Sequence, residues 1–441
     1  MYPNLYLLVR DWFGADWKGL RFINMFGFMV ALAFIAAAIV IGSELKRKSR
    51  EGLLHYQEEK ITVGKPASIA ELLINFLLGF LLGYKIIGAF FSNPDADIQA
   101  FVFSWQGNWA AGILLGLLFA GLKWREANKQ KMPKPEEKII RVWPHDRVGD
   151  IVIFALVFGI LGAKLFDNLE NWDDFITHPI ERIFSAGGLT FYGGLILAGI
   201  AICVYAARKN IKIVHLVDAI APAMMIAYAV GRIGCQVAGD GDWGIYNSAY
   251  ITDANGKAVE AKAGEFEAQL EKYKTYFLNG EVLDPGASNL ITVTDRKSES
   301  LDKVPHKSVK GPSWLPNWMF AYPYRQNVNK DGIRIASITD EHNRALPVPV
   351  FPTPFYETIL CSLLFLLLWI VRRRIKTAGV MMGLYLVLNG AERFLIEKIR
   401  VNNTYSLLGF HPSQAQIISS ALVVTGIIFI VLAKLNSPSK E

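Results

Sequence analysis

Residues 23–43, "INMFGFMVALAFIAAAIVIGS", carry no charged side chain over their whole length. An α-helix of about 20 apolar residues is what crosses roughly 30 Å of hydrocarbon, and this run has that length and that purity. Eight further apolar runs follow, at 70–91, 108–122, 150–166, 188–207, 215–237, 354–371, 378–399 and 413–433. Of 441 residues 52% are apolar, with 46 Lys+Arg against 39 Asp+Glu; a large soluble enzyme could share that composition. The gathering of apolar residues into long runs decides otherwise. It predicts an all-α polytopic integral membrane protein with nine transmembrane helices.

Charge sets the expected orientation, because cytoplasmic loops retain Lys and Arg. Segments 44–65, 122–149, 208–214 ("RKNIKIV") and 371–377 ("VRRRIKT") are basic, whereas the alternate loops 92–108 and 166–184 are acidic or neutral. Nine spans then place the N-terminus outside and the C-terminus inside. The N-terminal "MYPNLYLLVRDWFGADW" lacks the basic start, apolar core and small-residue cleavage site of a signal peptide, so the first span is expected to direct insertion. Topology accounts for the basic balance, which leaves no call for nucleic-acid binding. Cys203, Cys235 and Cys361 lie in or at the ends of spans and suggest neither a metal site nor a disulfide framework.

Three regions follow from this division: membrane helices one to six in 1–237, a polar extracytoplasmic insert in 238–350, and helices seven to nine in 351–441. The insert is expected to be a small mixed cap, with a helix over 258–278 ("AVEAKAGEFEAQLEKYKTYFL"). Its end, "GPSWLPNWMFAYPYRQN" (311–327), is rich in the amphipathic aromatics that favour a membrane interface. At an offset of 79 residues, "SIAELLINFLLGFLLGYKI" from Ser68 resembles "RVGDIVIFALVFGILGAKL" from Arg147, aligning Glu71 with Asp150, Gly83 with Gly162 and Lys85 with Lys164. Two apolar helices alike by chance and a duplicated helix pair both fit.

The sixth run ends in "GRIGCQVAGDGDWG" (231–244). Its "GDGDWG" spells a dinucleotide fingerprint, but that motif needs a preceding strand and a following helix, and here a membrane helix precedes it. Asp240 and Asp242 imitate the start of a calcium loop whose remaining ligands are missing. Arg232 is the informative residue. An arginine one to two turns inside a span costs a few kcal/mol, by order of magnitude, unless it snorkels, pairs or binds an anion. Arg393, in "LNGAERFLIEKIR" (388–400), reaches a similar depth near the outer end of the eighth run. Two guanidiniums suit a phospholipid phosphate; equally, both arginines suit structural pairing with Glu357, Glu392 or Glu397. "SAGGLTFYGGLILAG" (185–199) offers Gly187, Gly188, Gly193 and Gly194 either for tight helix packing or for a headgroup beside Tyr192.

In order along the chain these segments resemble the prolipoprotein diacylglyceryl transferase family. The most specific likeness is "GRIGCQVAGDGDWG", where the family has Gly-Arg-Ile-Gly, then Asn or Cys, and closes on an aromatic-Gly pair. "FGFMVALAF" from Phe26 resembles its first core helix, with Phe for the usual Tyr. "GILGAKL" (159–165) resembles its Gly-Ala-Arg-Leu, with Lys164 for Arg, and "DAIAPAMMIAYAVGRIGC" supplies the aspartate, Asp218, that precedes the signature. "FPTPFYE" (351–357), "RFLIEKIR" (393–400) and "SQAQIIS" (413–419) resemble the remaining motifs, the likeness covering 23–43, 150–244 and 351–420. The family normally has seven spans, so the second and third runs and most of the insert are additions.

The resemblance implies a bacterial cytoplasmic (inner) membrane enzyme whose active site faces the outer leaflet. It would transfer the diacylglyceryl group of phosphatidylglycerol to the lipobox cysteine thiol of a preprolipoprotein and release glycerol phosphate. No cofactor and no metal are implied. Arg232 and Arg393 would clamp phosphate, Tyr192 would position headgroup or thiol, and Asp240 and Glu357 would transfer protons or orient the arginines. Phe26, Gly193, Gly194, Gly231, Gly234, Gly239 and Gly244 complete the expected substrate surface. "TFYGG" places Tyr192 where the family has a catalytic histidine, and a phenol with pKa about 10 is a poor base near neutrality. A non-catalytic phospholipid- or lipoprotein-binding homologue is the alternative, with a transporter behind it, since transporters gather broken or charged helices at the midplane.

Overall fold

The computed structural model describes residues 1–91, 101, 105–185, 188–240, 243–284, 289–401, 405 and 412–436. Among the described residues, nine long helices occupy the nine apolar runs: α1 Met25–Arg50, α2 Ile69–Leu81, α3 Trp109–Lys129, α4 Val148–Glu170, α5 Phe191–Arg208, α6 Ile213–Ala238, α7 Thr353–Val371, α8 Val380–Glu397 and α9 Gln414–Leu435. A short helix, Leu5–Phe13, precedes them. Among the described residues, seven helices are long and apolar enough to cross a membrane: α1, α2 with its continuation to Ile87, α4 with its lead-in from Pro144, α5, α6, α7 and α9. The other two are helical but interrupted by charge. Helix α3 ends in Lys123, Arg125, Glu126 and Lys129, and the last turns of α8 carry Glu392, Arg393 and Glu397.

The helix ends follow from local chemistry. Ser68 and Glu71 form a reciprocal capping box on α2, Ser413 and Gln416 do the same on α9, and Asn108 caps α3; each satisfies amide donors that a helix N-terminus leaves open. Helix α8 is capped from a distance. Asp218 on α6 accepts from the Gly379 and Met382 amides at 2.9 and 3.0 Å, placing negative charge at the positive end of the helix.

The chain divides into two compact units. One comprises residues 9–22 and 41–216. Within it β1 (Gln57–Val63) and β2 (Glu136–Val142) pair antiparallel, Gln57 facing Val142, Lys60 facing Ile139 and Val63 facing Glu136. Positions 57, 60 and 63 advance to 136, 139 and 142 under the offset seen in the sequence, so equivalent residues pair about a local two-fold at Lys60 and Ile139. The helices repeat as well. A Cβ on Gly83 would strike the Ala111 carbonyl oxygen at 2.3 Å, and one on Gly162 the Gly193 oxygen at 2.4 Å. The Asn108 amide donates to Tyr84 O, as the Thr190 amide does to Ala163 O. Lys85 Nζ donates to Gln106 O at 2.9 Å and Lys164 Nζ to Ser185 O at 2.8 Å. Strand, helix, lysine clasp and returning helix occur twice, and this favours duplication over chance likeness. In the first copy Ala110 takes the place of Tyr192.

The other unit comprises 1–8, 23–40 and 217–441. Ala221, Met225 and Ala229 of α6 pack on Cys361 and Leu368 of α7 and on Met381 and Tyr385 of α8. Gly383 and Gly390 bring α8 against α9, where a Cβ would meet Gly426 O at 2.8 Å and Ser419 O at 2.7 Å. Between α6 and α7, residues 243–350 build an aromatic core of Trp243, Tyr246, Phe266, Tyr276, Phe277 and Tyr324 with aliphatic neighbours, edged by two-stranded ribbons. The helix expected over 258–278 is divided: Ala258–Glu260 is a strand, and Gly264, with φ +81°, starts Glu265–Lys272, which Lys274–Asn279 follows. In the aromatic end of the insert Trp314 is 78% exposed while Tyr324 is wholly buried.

Candidate functional site

Three arginines converge on one buried carboxylate. Glu357, in the first turns of α7, has no exposed side-chain surface. Arg232 Nε of α6 lies 3.0 Å from its Oε2, at ion-pair distance without hydrogen-bond alignment. Arg393 Nη1 of α8 donates to Oε1 at 3.2 Å, Tyr228 of α6 donates its hydroxyl to Oε1 at 2.8 Å, and Arg400 Nη1 lies 3.6 Å from the same oxygen. A second buried acid, Glu397, takes Arg393 Nη2 at 3.4 Å and the Ser413 hydroxyl at 2.6 Å.

Of the two readings of the arginines, the structure shows the pairing with buried acids. Arg232, Arg393 and Arg400 approach Glu357, and Arg393 also reaches Glu397. The side chains of Arg232 and Arg393 remain 16% and 22% exposed, against 1% for Arg400. A rigid, partly open, cationic cluster held by buried acids is a preorganised receptor for an anion and for charge developing on a leaving group.

Helical spacing assembles the cluster. Tyr228, Arg232 and Cys235 stand at i, i+4 and i+7 on α6, one face of the helix; Arg232 lies 5.4 Å over the Tyr228 ring and 3.7 Å from Cys235 Sγ. Arg393 and Glu397 repeat the i, i+4 spacing at the end of α8, and Arg400, three residues beyond the helix, is held by its bridge to Gly244. Sequence reading alone did not select Tyr228 or Arg400, although the same spacing marks Tyr228.

The remaining signature residues shape the backbone beside the cluster. Gly234 lets α6 approach α1, where a Cβ would lie 2.9 Å from Met29 and 3.4 Å from Phe26; a Cβ on Gly231 would meet open space. Gly239, at φ +69°, turns the chain out of α6 against Asn327. The Asp240 amide donates to Cys235 O at 3.0 Å, and burial pushes the Asp240 carboxyl up while Arg232 pulls it down. Gly241 and Asp242 lie outside the described residues. Gly244 forms an antiparallel bridge with Arg400, and a Cβ there would strike Phe351 O at 2.7 Å. The end of "GRIGCQVAGDGDWG" thus fixes the backbone of the third arginine.

Tyr192, Gly193 and Gly194 belong to the other unit. Tyr192 is 36% exposed in the first turn of α5, its ring 5.7 Å from that of Phe191. Gly193 and Gly194 are buried against α4, a Cβ on Gly193 lying 2.4 Å from Phe166 and one on Gly194 2.7 Å from Gly159 O. Their lack of side chains lets α5 approach α4. Gly187 lies outside the described residues.

The family described as prolipoprotein diacylglyceryl transferase matches residues 98–432, a range that includes both arginine-bearing helices and the insert and leaves out the segment around Phe26. Among similar proteins named phosphatidylglycerol–prolipoprotein diacylglyceryl transferase, that of Streptococcus uberis is 25% identical over 342 residues, covering 77% of this chain and 93% of its own. That of Streptococcus mutans is 26% identical over 294 residues, covering 66% and 80%. That of Leptospira interrogans is 28% identical over 188 residues, covering 36% and 55%.

Proposed function

Because this chain belongs to the prolipoprotein diacylglyceryl transferase family, we propose that it transfers the diacylglyceryl group of phosphatidylglycerol to the lipobox cysteine thiol of preprolipoproteins. The observation that carries the proposal is the convergence of Arg232, Arg393 and Arg400 on buried Glu357. Bond breaking places charge on the phosphate oxygen of the departing glycerol phosphate, and fixed guanidiniums stabilise that charge without reorganising. The same positive field favours the thiolate over the thiol of the incoming cysteine. Arg232 and Arg393, the partly exposed pair, grip the phosphate. Glu357 has its oxygens engaged by cations and Tyr228, so it orients the arginines. Asp240 remains an acidic candidate for proton transfer, and Tyr192, by the family resemblance, positions headgroup or thiol.

The topology proposed with this reading has nine spans, the N-terminus outside and the C-terminus inside the bacterial cytoplasmic membrane. Residues 238–350 form an extracytoplasmic cap between the membrane regions 1–237 and 351–441. Exposed Trp314 and Trp318 support contact of that cap with the outer leaflet.

Purified protein incubated with phosphatidylglycerol and a lipobox peptide should yield a diacylglyceryl thioether detectable by mass spectrometry. Arg232→Lys, which keeps charge and loses the planar fork, should lower kcat by about a hundredfold. Peptide and lipid binding without any thioether would leave a non-catalytic binder in place of the enzyme.

A further inference from the structure

An acid that the motifs do not include lies beside the arginine cluster. Glu392 precedes the Arg-Phe-x-x-Glu-x-x-Arg pattern, on the stripe of α8 that buries Met381, Tyr385 and Ile396. It is 4% exposed, and among the described residues neither carboxylate oxygen has a hydrogen-bond partner. A buried carboxyl group without a partner is costly, so an acid at an otherwise apolar position calls for a reason. The other two buried acids of the site are engaged, Glu357 by Tyr228 and the arginines, Glu397 by Ser413 and Arg393.

The charged and titratable groups around Glu392 come from three helices. They are Tyr228 and Arg232 on α6, Glu357 and Cys361 on α7, and Tyr385 and Arg393 on its own α8. Glu357 and Glu397 each hold an arginine, whereas Glu392 has both oxygens without a hydrogen-bond partner among the described residues.

We propose that Glu392 accepts the thiol proton in the transfer reaction. This assignment rests on the function proposed above. The peptide S–H gives its proton to a Glu392 oxygen, and sulfur forms a bond to the glyceryl carbon that carries the phosphate. The C–O bond to that phosphate breaks, its electron pair leaving on the phosphate oxygen held by Arg232 and Arg393. The proton on Glu392 then passes to the departing phosphate, so glycerol phosphate leaves singly protonated and the carboxylate is restored. No oxidant, metal or further reactant enters the balance.

The test uses the full chain in phosphatidylglycerol nanodiscs with a lipobox peptide. Glu392→Gln should lower kcat by about a hundredfold, leave KM for the peptide within about threefold, and abolish the acid limb of the kcat profile against pH. Glu392→Ala should be equally slow and should recover rate with added formate, which supplies a carboxylate to the vacated space. A Glu392→Gln enzyme with kcat within about threefold of native and an unchanged acid limb overturns the assignment while leaving the transferase reading intact. If Glu392→Gln does not fold, formate rescue of Glu392→Ala decides, and absence of rescue overturns the assignment. Native protein that forms no thioether overturns the transferase reading and this assignment with it.

Discussion

Replacement of Glu357 by glutamine separates the two roles an acid at this site can have. The amide keeps the size of the side chain and an oxygen for the Tyr228 hydroxyl, but removes the charge that Arg232, Arg393 and Arg400 approach at 3.0, 3.2 and 3.6 Å. Losing one partner of a buried ion pair costs about 3–5 kcal/mol. Arg393 retains Glu397, which holds the expected loss within that range. At about 2–4 °C per kcal/mol for a folded unit of some 150–250 residues, the unfolding midpoint should fall by about 6–20 °C. Release of the guanidiniums should also lower kcat by about a hundredfold, the usual effect of misplacing a catalytic group by about 1 Å. Differential scanning fluorimetry in detergent, run beside the thioether assay, reads both quantities. A variant that loses activity while keeping its unfolding midpoint refutes the organising role and would make Glu357 a proton-transfer group. A variant unchanged in both refutes the site.

Two further predictions concern places away from the cluster. Gly193→Ala puts a methyl group 2.4 Å from Phe166 and 2.5 Å from Gly162 O, so α4 and α5 must separate, and the unfolding midpoint should fall by an amount matching about 1–3 kcal/mol; an unchanged midpoint would show that this contact is slack. In the insert, burial pushes the Asp331 carboxyl up to about 6, against Tyr276, which donates to it at 2.8 Å. A carboxyl raised in the folded state above its unfolded value of about 3.9 stabilises the fold at low pH and loses that contribution as pH rises through about 6, a difference of about 2–3 kcal/mol. Asp331→Asn should therefore flatten the native protein's loss of stability between pH 4 and 6, measured by chemical unfolding; parallel curves for the two proteins would refute the assignment.

The helices are readable in the sequence because an apolar run long enough to cross a membrane must satisfy its backbone internally. The duplicated half is only suggested there, since two apolar helices share composition without sharing ancestry. What favours it is the pairing of Gln57–Val63 with Glu136–Val142 in register with the repeat, a long-range fact. Helix 258–278 fails as a continuous element because its charge pattern reads as helical through Gly264, while the backbone there is left-handed. Gly193 and Gly194 show the limit of glycine as a signal. A small residue that admits a ligand and one that admits a neighbouring helix look alike in sequence, and the structure adds the helix contact, with Gly159, Gly162 and Phe166 opposite them.

Arg232 is legible because one charge inside a span requires an explanation, and Arg400 escapes notice because it falls just beyond the apolar run. Yet the signature that exposes the first arginine also organises the last. Gly239 turns the chain at the end of α6, and Gly244 admits the backbone of Phe351 and bridges to Arg400, so one fourteen-residue stretch presents a guanidinium at its start and pins another at its end. Glu357 lies six residues beyond Phe351, in the helix that this contact anchors. The glycines at the end of the stretch act by setting the distance between helices α6, α7 and α8. A larger residue at Gly244 should therefore disturb Arg400 and Glu357 before it disturbs Arg232, whose position depends on the turns of α6 itself.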